Sequence, residues 1–600
     1  MVPAHRGKYG EHILNSLTSC YYRAPLPING LKRVLFLRHL CALSTLCVLL
    51  CGAASAASLP PSPGDQDLIR QRQERLLEQQ QQRLNDLQQL PQVTPTTPVT
   101  PSAPDSRCFD IQRITLKGAE HLSESVRNEL VAPFLGKCLG AGQLNELLKV
   151  ITNQYIDRGD VTTRAYLPQQ DLSDGELEIM VVEGKLEGLE SSEVVSPREL
   201  GMTFPGQVGE VLNLRDLEQL VDQVNRLPSR QAQMELLPGQ EVGGSRVQLK
   251  GQRDKPWRVN FNRNNDGQDS TGEQQWGAGL DWDSPLGLAD QLNLRAGGDT
   301  VSDTWRHSNN QSLGYSLPYG WWTFNYNYSQ NLYRSLGQAS NFDFEQKGDS
   351  KTQQLRAERV LHRDSVSKTA ASLGVSETST RNYIEDSLVD VSSQDLSESQ
   401  VGFNHGRRIG SAFVNLDAGW QRGIGLFGAD ANNHPQGAEP VARYNKYSLT
   451  LSYLQPFQLW DESFSVDSLA TGQQSEDVLF SPQRISIGGL SSVRGFKEQS
   501  LSGDSGGYWR NQLRWRRPIA WTSLQPWLQE YGATLAYDVG VIEHGPFNPV
   551  AHGRMSGNAL ELSARGQYLA ASVTFSQSLE RPSYITEPES PMYFRVEAFF

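Results

Sequence analysis

Met592-Tyr593-Phe594-Arg595-Val596-Glu597-Ala598-Phe599-Phe600 closes the chain. Side chains of an extended strand alternate between its two faces, so Phe594, Val596, Ala598 and Phe600 share one face while Arg595 and Glu597 share the other. A strand that is apolar on one face, charged on the other and aromatic at its end suits the wall of a membrane β-barrel, where lipid-facing and lumen-facing residues alternate. A soluble sandwich edge would rarely leave the Phe599-Phe600 pair exposed. Phe594, Val596 and Phe600 are therefore the expected signal that such a barrel offers to its assembly machinery.

The same alternation, broken by Gly, Asn, Asp, Ser and Pro, recurs in fifteen further stretches from Trp257 onward. Sixteen antiparallel strands in residues 257–600 leave about 21 residues for each strand and its connection, which fits spans of ~9 to 11 residues joined alternately by short turns and long loops. An even count returns the last strand to the side from which the first one starts. Composition agrees. Mean hydropathy is −0.49 and 20% of residues are charged, which excludes a bundle of membrane helices, each needing ~20 mostly apolar residues. The 53 Gly, 12 Trp, 20 Tyr and 20 Phe lean towards β structure, and the net charge of −12 argues against a nucleic-acid binder.

One long apolar run, residues 40–57, follows Lys32-Arg33 and ends in small residues around Ala54-Ser55-Ala56. A basic flank, an apolar stretch and a small-residue site predict an extended secretory signal, residues 1–56. An uncleaved anchor is the other reading, for which the run is barely long enough. Cleavage removes six basic residues and one acid, taking the net charge from −12 to −17. It also removes four of the six cysteines. Cys108 and Cys138 remain, enclosing about 30 residues; in an exported chain they suggest a disulfide stabilising a small domain by roughly 3 kcal/mol, with two free thiols as the alternative.

Residues 57–90 contain a Ser62-Pro63-Gly64-Asp65 capping box and a helix predicted over 65–90, about 39 Å long. Its apolar positions, Ile69, Leu76, Leu77, Leu84 and Leu87, make only a thin stripe. So polar a helix stands in water, pairs as a weak coiled coil or sits inside something polar, and composition alone favours the solvated tail. In residues 91–107, Pro95, Pro98, Pro101 and Pro104 recur at the polyproline II period, predicting a stiff spacer of about 50 Å. Residues 108–184 and 185–254 read as tandem β-α-α-β-β modules, the first opening with one strand interrupted near Gln112; helical periodicity ends before 255–600.

Two motifs sharpen the reading: Val493-Arg494-Gly495-Phe496 in a Gly- and Ser-rich segment, and Asp538-Val539-Gly540 inside an alternating stretch. With helix, linker, two modules and barrel in this order, the mature chain resembles the TpsB family, outer-membrane transporters of two-partner secretion that include haemolysin-activator, filamentous-haemagglutinin and contact-dependent-inhibition transporters. The VRGF quartet matches the family's loop motif. The strand motif ends as the family's does in Asp538 and Gly540, but begins with Ala536 where Phe or Gly is usual, a mild departure. The cysteine pair of the first module also recurs in relatives.

The resemblance implies a sixteen-stranded membrane barrel behind two polypeptide-transport-associated (POTRA) domains in the periplasm. It implies a helix that plugs the lumen at rest, and a large TpsA-type exoprotein recognised by its N-terminal secretion domain and passed through the pore to the cell surface. Its other partners would be outer-membrane lipid and the barrel assembly machinery, and the pore would be monomeric. The residue chemistry points the same way: residues 488–496 are too flexible for a spanning strand and long enough to fold inward. A guanidinium entering a lumen needs a carboxylate, because breaking a buried pair costs roughly 3 to 5 kcal/mol; Asp538 is the family-matched partner of Arg494. No Walker A loop, H-E-x-x-H or G-x-S-x-G in a strand-to-helix setting is present, and the ten His are scattered, so no enzyme, cofactor or metal is expected. Two rivals differ by feature: an assembly or insertase relative would carry more than two POTRA modules, and a porin-type receptor would lack the VRGF loop. Whether the exoprotein is a haemolysin, an adhesin or a contact-dependent-inhibition toxin is left open.

Overall fold

Alternating residues between Trp257 and Phe599 form sixteen long antiparallel strands closed into one barrel. These are β1 (Trp257–Asn264), β2 (Gln275–Asp283), β3 (Gln291–Asp299), β4 (His307–Tyr319), β5 (Trp322–Gln338), β6 (Asp343–Arg363), β7 (Ser367–Ile384), β8 (Gln394–Ile409), β9 (Ala412–Ile424), β10 (Asn445–Leu459), β11 (Glu462–Gln474), β12 (Gly506–Pro518), β13 (Glu530–Ile542), β14 (Gly553–Arg565), β15 (Leu569–Glu580) and β16 (Met592–Phe599). The computed structural model describes residues 62–90 and 108–600, apart from 192, 302–303, 339–341, 433–438, 521–524, 526 and 546–550. The expected leader and the Pro-rich spacer lie outside the described residues.

Each strand pairs with its neighbour in sequence, and β16 closes on β1 with Arg595 opposite Asn264 and Phe599 opposite Asn260. Phe600 continues the seam by exchanging backbone hydrogen bonds with Val259 (2.8 and 3.0 Å). Alternation along the strands is visible in exposure: Leu535, Tyr537 and Val541 of β13 face outward, whereas Asp538 between them is fully buried. Exposed Trp257, Trp282, Tyr319, Trp460 and Tyr531 ring the short-turn end, and Trp276, Tyr447 and Trp509 lie towards the long-loop end. Two aromatic girdles flanking an apolar band are the surface a bilayer requires. Strands β5 to β8 run to 16–21 residues, longer than the sequence alternation suggested, because outside the apolar band both faces are polar and the period-2 signal fades.

Two small α+β modules precede the barrel. In the first, strands Arg113–Lys117, Glu176–Val182 and Arg164–Tyr166 form a sheet in that spatial order, covered by helices Glu124–Val131 and Ala141–Arg158. Leu147, Ile151, Tyr155, Leu177 and Ile179 make its core. The opening segment expected as one interrupted strand is two strands of different sheets: Cys108–Ile111 pairs with Lys137–Gly140, while Arg113–Lys117 joins the main sheet. Cys108 and Cys138 are joined, their Cα atoms 5.2 Å apart. The second module repeats the plan with Lys185–Ser191, Gly244–Arg253 and Arg230–Pro238 under helices Pro197–Thr203 and Leu214–Asn225.

Helix Leu214–Asn225 docks on the turns of the barrel. Arg363, at the end of β6, reaches both Asp222 and Glu218 of the helix, and Lys368 of β7 reaches Asp222 at 3.2 Å. Gln219 and Gln223 donate to the Gly320 carbonyl (3.2 and 3.1 Å). Nearby, Arg230 pairs with Glu199 at 2.8 Å, and Ser284 donates to the same carboxylate. Burial penalises ionised Glu199, but hydrogen bonds from Ser284 and Ser196 and the Arg230 charge outweigh it and hold the carboxyl below its ordinary range. Asp222 is likewise penalised by burial and brought low by Lys368 and Arg363.

Candidate functional site

Inside the barrel two elements meet: the N-terminal helix and the long connection between β11 and β12. The helix spans Pro63–Gln88 and starts as the sequence expects, with Ser62 and Asp65 exchanging capping hydrogen bonds. Its surroundings correct the solvated-tail reading. Gln71 donates to lumen-facing Asn331 (2.6 Å), Gln73 to the Ser486 carbonyl (2.7 Å) and Gln80 to Asp417 (2.7 Å), while Gln80 accepts from Asn415 and Ser452. Arg83 makes two hydrogen bonds with Glu358 of β6 (2.8 and 2.5 Å). The apolar stripe is used at two places. Leu84, Leu87 and Leu90 cluster with Phe413 and Leu454 of the wall, and Leu77 touches the core under the β11–β12 connection.

That connection, residues 475–505, narrows to a short hairpin, Ile485–Ile487 against Leu501–Gly503, and its tip folds into the lumen. Val493 and Phe496 are fully buried with Ile487, Leu501, Tyr508 and Met555. Arg494 points the other way, into the wall. Its Nε donates to Asp538 Oδ2 at 2.6 Å, its Nη2 to Oδ1 at 2.7 Å, its Nη1 to Gln512 Oε1 at 3.0 Å, and its backbone N–H also reaches Asp538 at 3.2 Å. Both side chains are at least 95% buried. A planar fork against a carboxylate is the geometry in which such a pair is strongest.

The motif glycines have steric causes. A Cβ on Gly495 would lie 2.5 Å from the Gln577 carbonyl oxygen and 2.8 Å from the Ser578 Cα of β15, so loop backbone runs directly against wall backbone. Opposite, a Cβ on Gly557 of β14 would meet the Gly495 nitrogen at 2.7 Å. Gly540 faces side-chain carbons instead, its missing Cβ lying 2.8 Å from Ile487 Cγ2 and 3.2 Å from the Cβ atoms of Ile487 and Tyr508. The predicted residues Val493, Arg494, Gly495, Phe496, Asp538 and Gly540 are thus gathered at one place. Cys108 and Cys138 lie in the first module, and Phe594 and Val596 on the last strand, with Phe600 just past its end.

Several residues of the site were not singled out from sequence. Arg510 donates to the Ser491 carbonyl (3.0 Å) and Tyr593 to the Phe496 carbonyl (3.1 Å); the strand alternation that turns Tyr508 and Gln512 inward could have pointed to Arg510. Glu589, in the connection before β16, accepts from the backbone N–H groups of Lys497, Glu498 and Gln499. No local pattern marks it.

Residues 243–564 match the family of haemolysin secretion/activation proteins ShlB/FhaC/HecB, residues 109–184 a ShlB-type POTRA domain and residues 185–238 a further POTRA domain. The chain belongs to the TpsB family. It is 33% identical over 556 residues to the outer membrane transporter CdiB of Dickeya dadantii, covering 92% of this chain and 98% of that one. To the hemolysin transporter protein ShlB of Serratia marcescens it is 30% identical over 493 residues, 81% and 87% of the two chains. The solved structure of CdiB from Escherichia coli superposes with a TM-score of 0.85 at 34% identity, over 90% of this chain and 99% of that one. TpsB barrels lie in the outer membrane. The short turns and both POTRA domains are therefore periplasmic, and the long connections, 475–505 among them, open at the cell-surface side. As a TpsB protein the chain is an exoprotein transporter.

Proposed function

We propose that the two POTRA domains capture an unfolded TpsA-type exoprotein by its N-terminal secretion domain, and that the exoprotein crosses the barrel lumen once the helix leaves it. The observation that carries this reading is the polar docking of the helix in the lumen. Its contacts are mostly side-chain amides and charged pairs with the wall, which water can replace, and its apolar contacts are confined to two small clusters. A helix held in this way can exchange with water and with an extended chain at small cost. On the first POTRA domain, Arg113–Lys117 is an edge strand of its sheet, where an unfolded segment can add through main-chain hydrogen bonds with loose sequence demand.

In the same reading residues 1–56 are the cleaved leader, 57–90 the plug, 91–107 the spacer, 108–184 and 185–254 the POTRA domains and 255–600 the barrel. Arg494 and Asp538 anchor the inward loop during transport, and Phe594, Val596 and Phe600 are read by the assembly machinery. The pore works as a monomer with no nucleotide or catalytic step of its own, and folding of the exoprotein outside biases its movement outward. The test is binding of a TpsA-type secretion-domain fragment to the full chain in detergent. Saturable binding that survives removal of 63–88 is expected. Absence of binding, with the POTRA domains folded, would overturn the reading.

A further inference from the structure

At the end of the VRGF segment opposite Arg494, a second carboxylate holds the loop. Glu589 Oε2 accepts from the backbone N–H of Lys497 (2.6 Å) and Glu498 (3.1 Å), and Oε1 accepts from that of Gln499 (2.9 Å). Three consecutive amides converging on one anion are a nest, a geometry that favours negative charge. The carboxylate is itself held in place: the Glu589 N–H donates to Ser578 Oγ (2.9 Å), and its carbonyl accepts from the Ser578 N–H (2.9 Å) and hydroxyl (3.0 Å). Ser578 is on β15, next to the backbone on which Gly495 rests. Independently, the Lys497 ammonium pairs with Glu273 beside β2, with its side chain only 11% exposed.

We propose that Glu589 is a positioning residue for the inward loop: it fixes the returning limb of the loop as Asp538 fixes Arg494, so that the VRGF tip is held between two carboxylates. Resting on the transport reading above, it places Glu589 in secretion through the loop, with no contact to the exoprotein required. The chemistry orders the variants. Glutamine keeps one acceptor oxygen but turns an amide N–H₂ towards the loop amides, alanine removes the anion, and aspartate keeps charge with one methylene less of reach.

The test is trypsin added to intact cells that carry the full chain, reading the fragment that begins at Glu498, with secretion of an exoprotein measured in parallel. The parent is expected to resist cleavage after Lys497. Glu589→Ala should be cut there about 10-fold faster at unchanged heat-modifiability of the barrel, Glu589→Gln less so, and Glu589→Asp close to the parent, with secretion falling in the same order. An inserted Glu589→Ala or Glu589→Gln barrel as resistant as the parent overturns the proposal. Should neither insert, hydrogen exchange in the parent decides: amides 497–499 are expected to be strongly protected, and unprotected rates overturn it. Selective cleavage with normal secretion would overturn the part of Glu589 in secretion, whereas a parent chain that secretes no exoprotein at all would count against the transport reading instead.

Discussion

Arg494 can be freed from Asp538 only by leaving a fully buried carboxylate without its charge partner, which costs roughly 3 to 5 kcal/mol where no water can enter. Arg494→Ala is therefore expected to insert and secrete poorly, and Arg494→Lys to recover only part, because an ammonium cannot make both the 2.6 and 2.7 Å hydrogen bonds in one plane. In a double-mutant cycle with the swapped pair Arg494→Asp and Asp538→Arg, coupling above ~0.5 kcal/mol in thermal stability is expected; additive effects would mean that the pair contributes nothing jointly. The two motif glycines should separate. Gly495→Ala meets rigid backbone and should abolish secretion, whereas Gly540→Ala meets side-chain carbons, Cγ2 and Cβ of buried Ile487 and Cβ of Tyr508, and should reduce secretion while leaving some. Arg494 and Asp538 could be read because a charged residue in a glycine-rich loop and an acid within an apolar alternation are anomalies that ask for each other. Glu589 could not, since a glutamate among Thr586-Glu587-Pro588-Glu589-Ser590-Pro591 looks like any solvated loop charge.

For the N-terminal helix, the cap and the stripe were legible in its own residues, whereas a place in the lumen was implied only by the family resemblance. A surface rich in Gln and charge matches bulk water and a wet lumen equally well, and only the partners Asn331, Asp417 and Glu358, distant in sequence, distinguish them. Removing residues 63–88 should raise single-channel conductance in planar bilayers several-fold while the barrel remains heat-modifiable; unchanged conductance would mean that the helix does not block ion flow. The docking of the second POTRA domain is electrostatic enough to carry a pH dependence. Glu199 and Asp222 are held below their ordinary values, so their contribution is complete above those ordinary values, about pH 4, and is lost as the pH falls through the lowered ones. Hydrogen-exchange protection of Leu214–Asn225, corrected for intrinsic rates, should stay level from about pH 8 to 5 and fall below. Arg363→Ala, which leaves Asp222 with Lys368 and Glu218 with Arg215 as their remaining cations, should lower that protection at neutral pH as well.

Across the whole molecule, the barrel was readable because lipid on one side and water on the other impose period 2 on every strand, whatever the loops do. The POTRA modules were readable as repeated amphipathic units, though the split of the first segment between two sheets depends on pairing with Lys137–Gly140 and leaves no local trace. Non-reducing mass mapping of protein from the outer membrane should recover Cys108 and Cys138 as one linked peptide, and two free thiols there would contradict it. As proposed above, this chain moves an exoprotein across the outer membrane through its own lumen. The most direct test of this is export of an exoprotein fragment bearing a TpsA-type secretion domain from cells with no other transporter of the family. Fragment is expected in the medium only when the full chain is present, and is expected to be lost with Arg494→Ala at equal barrel levels. Retention of the fragment in the periplasm by cells carrying the intact chain would contradict it.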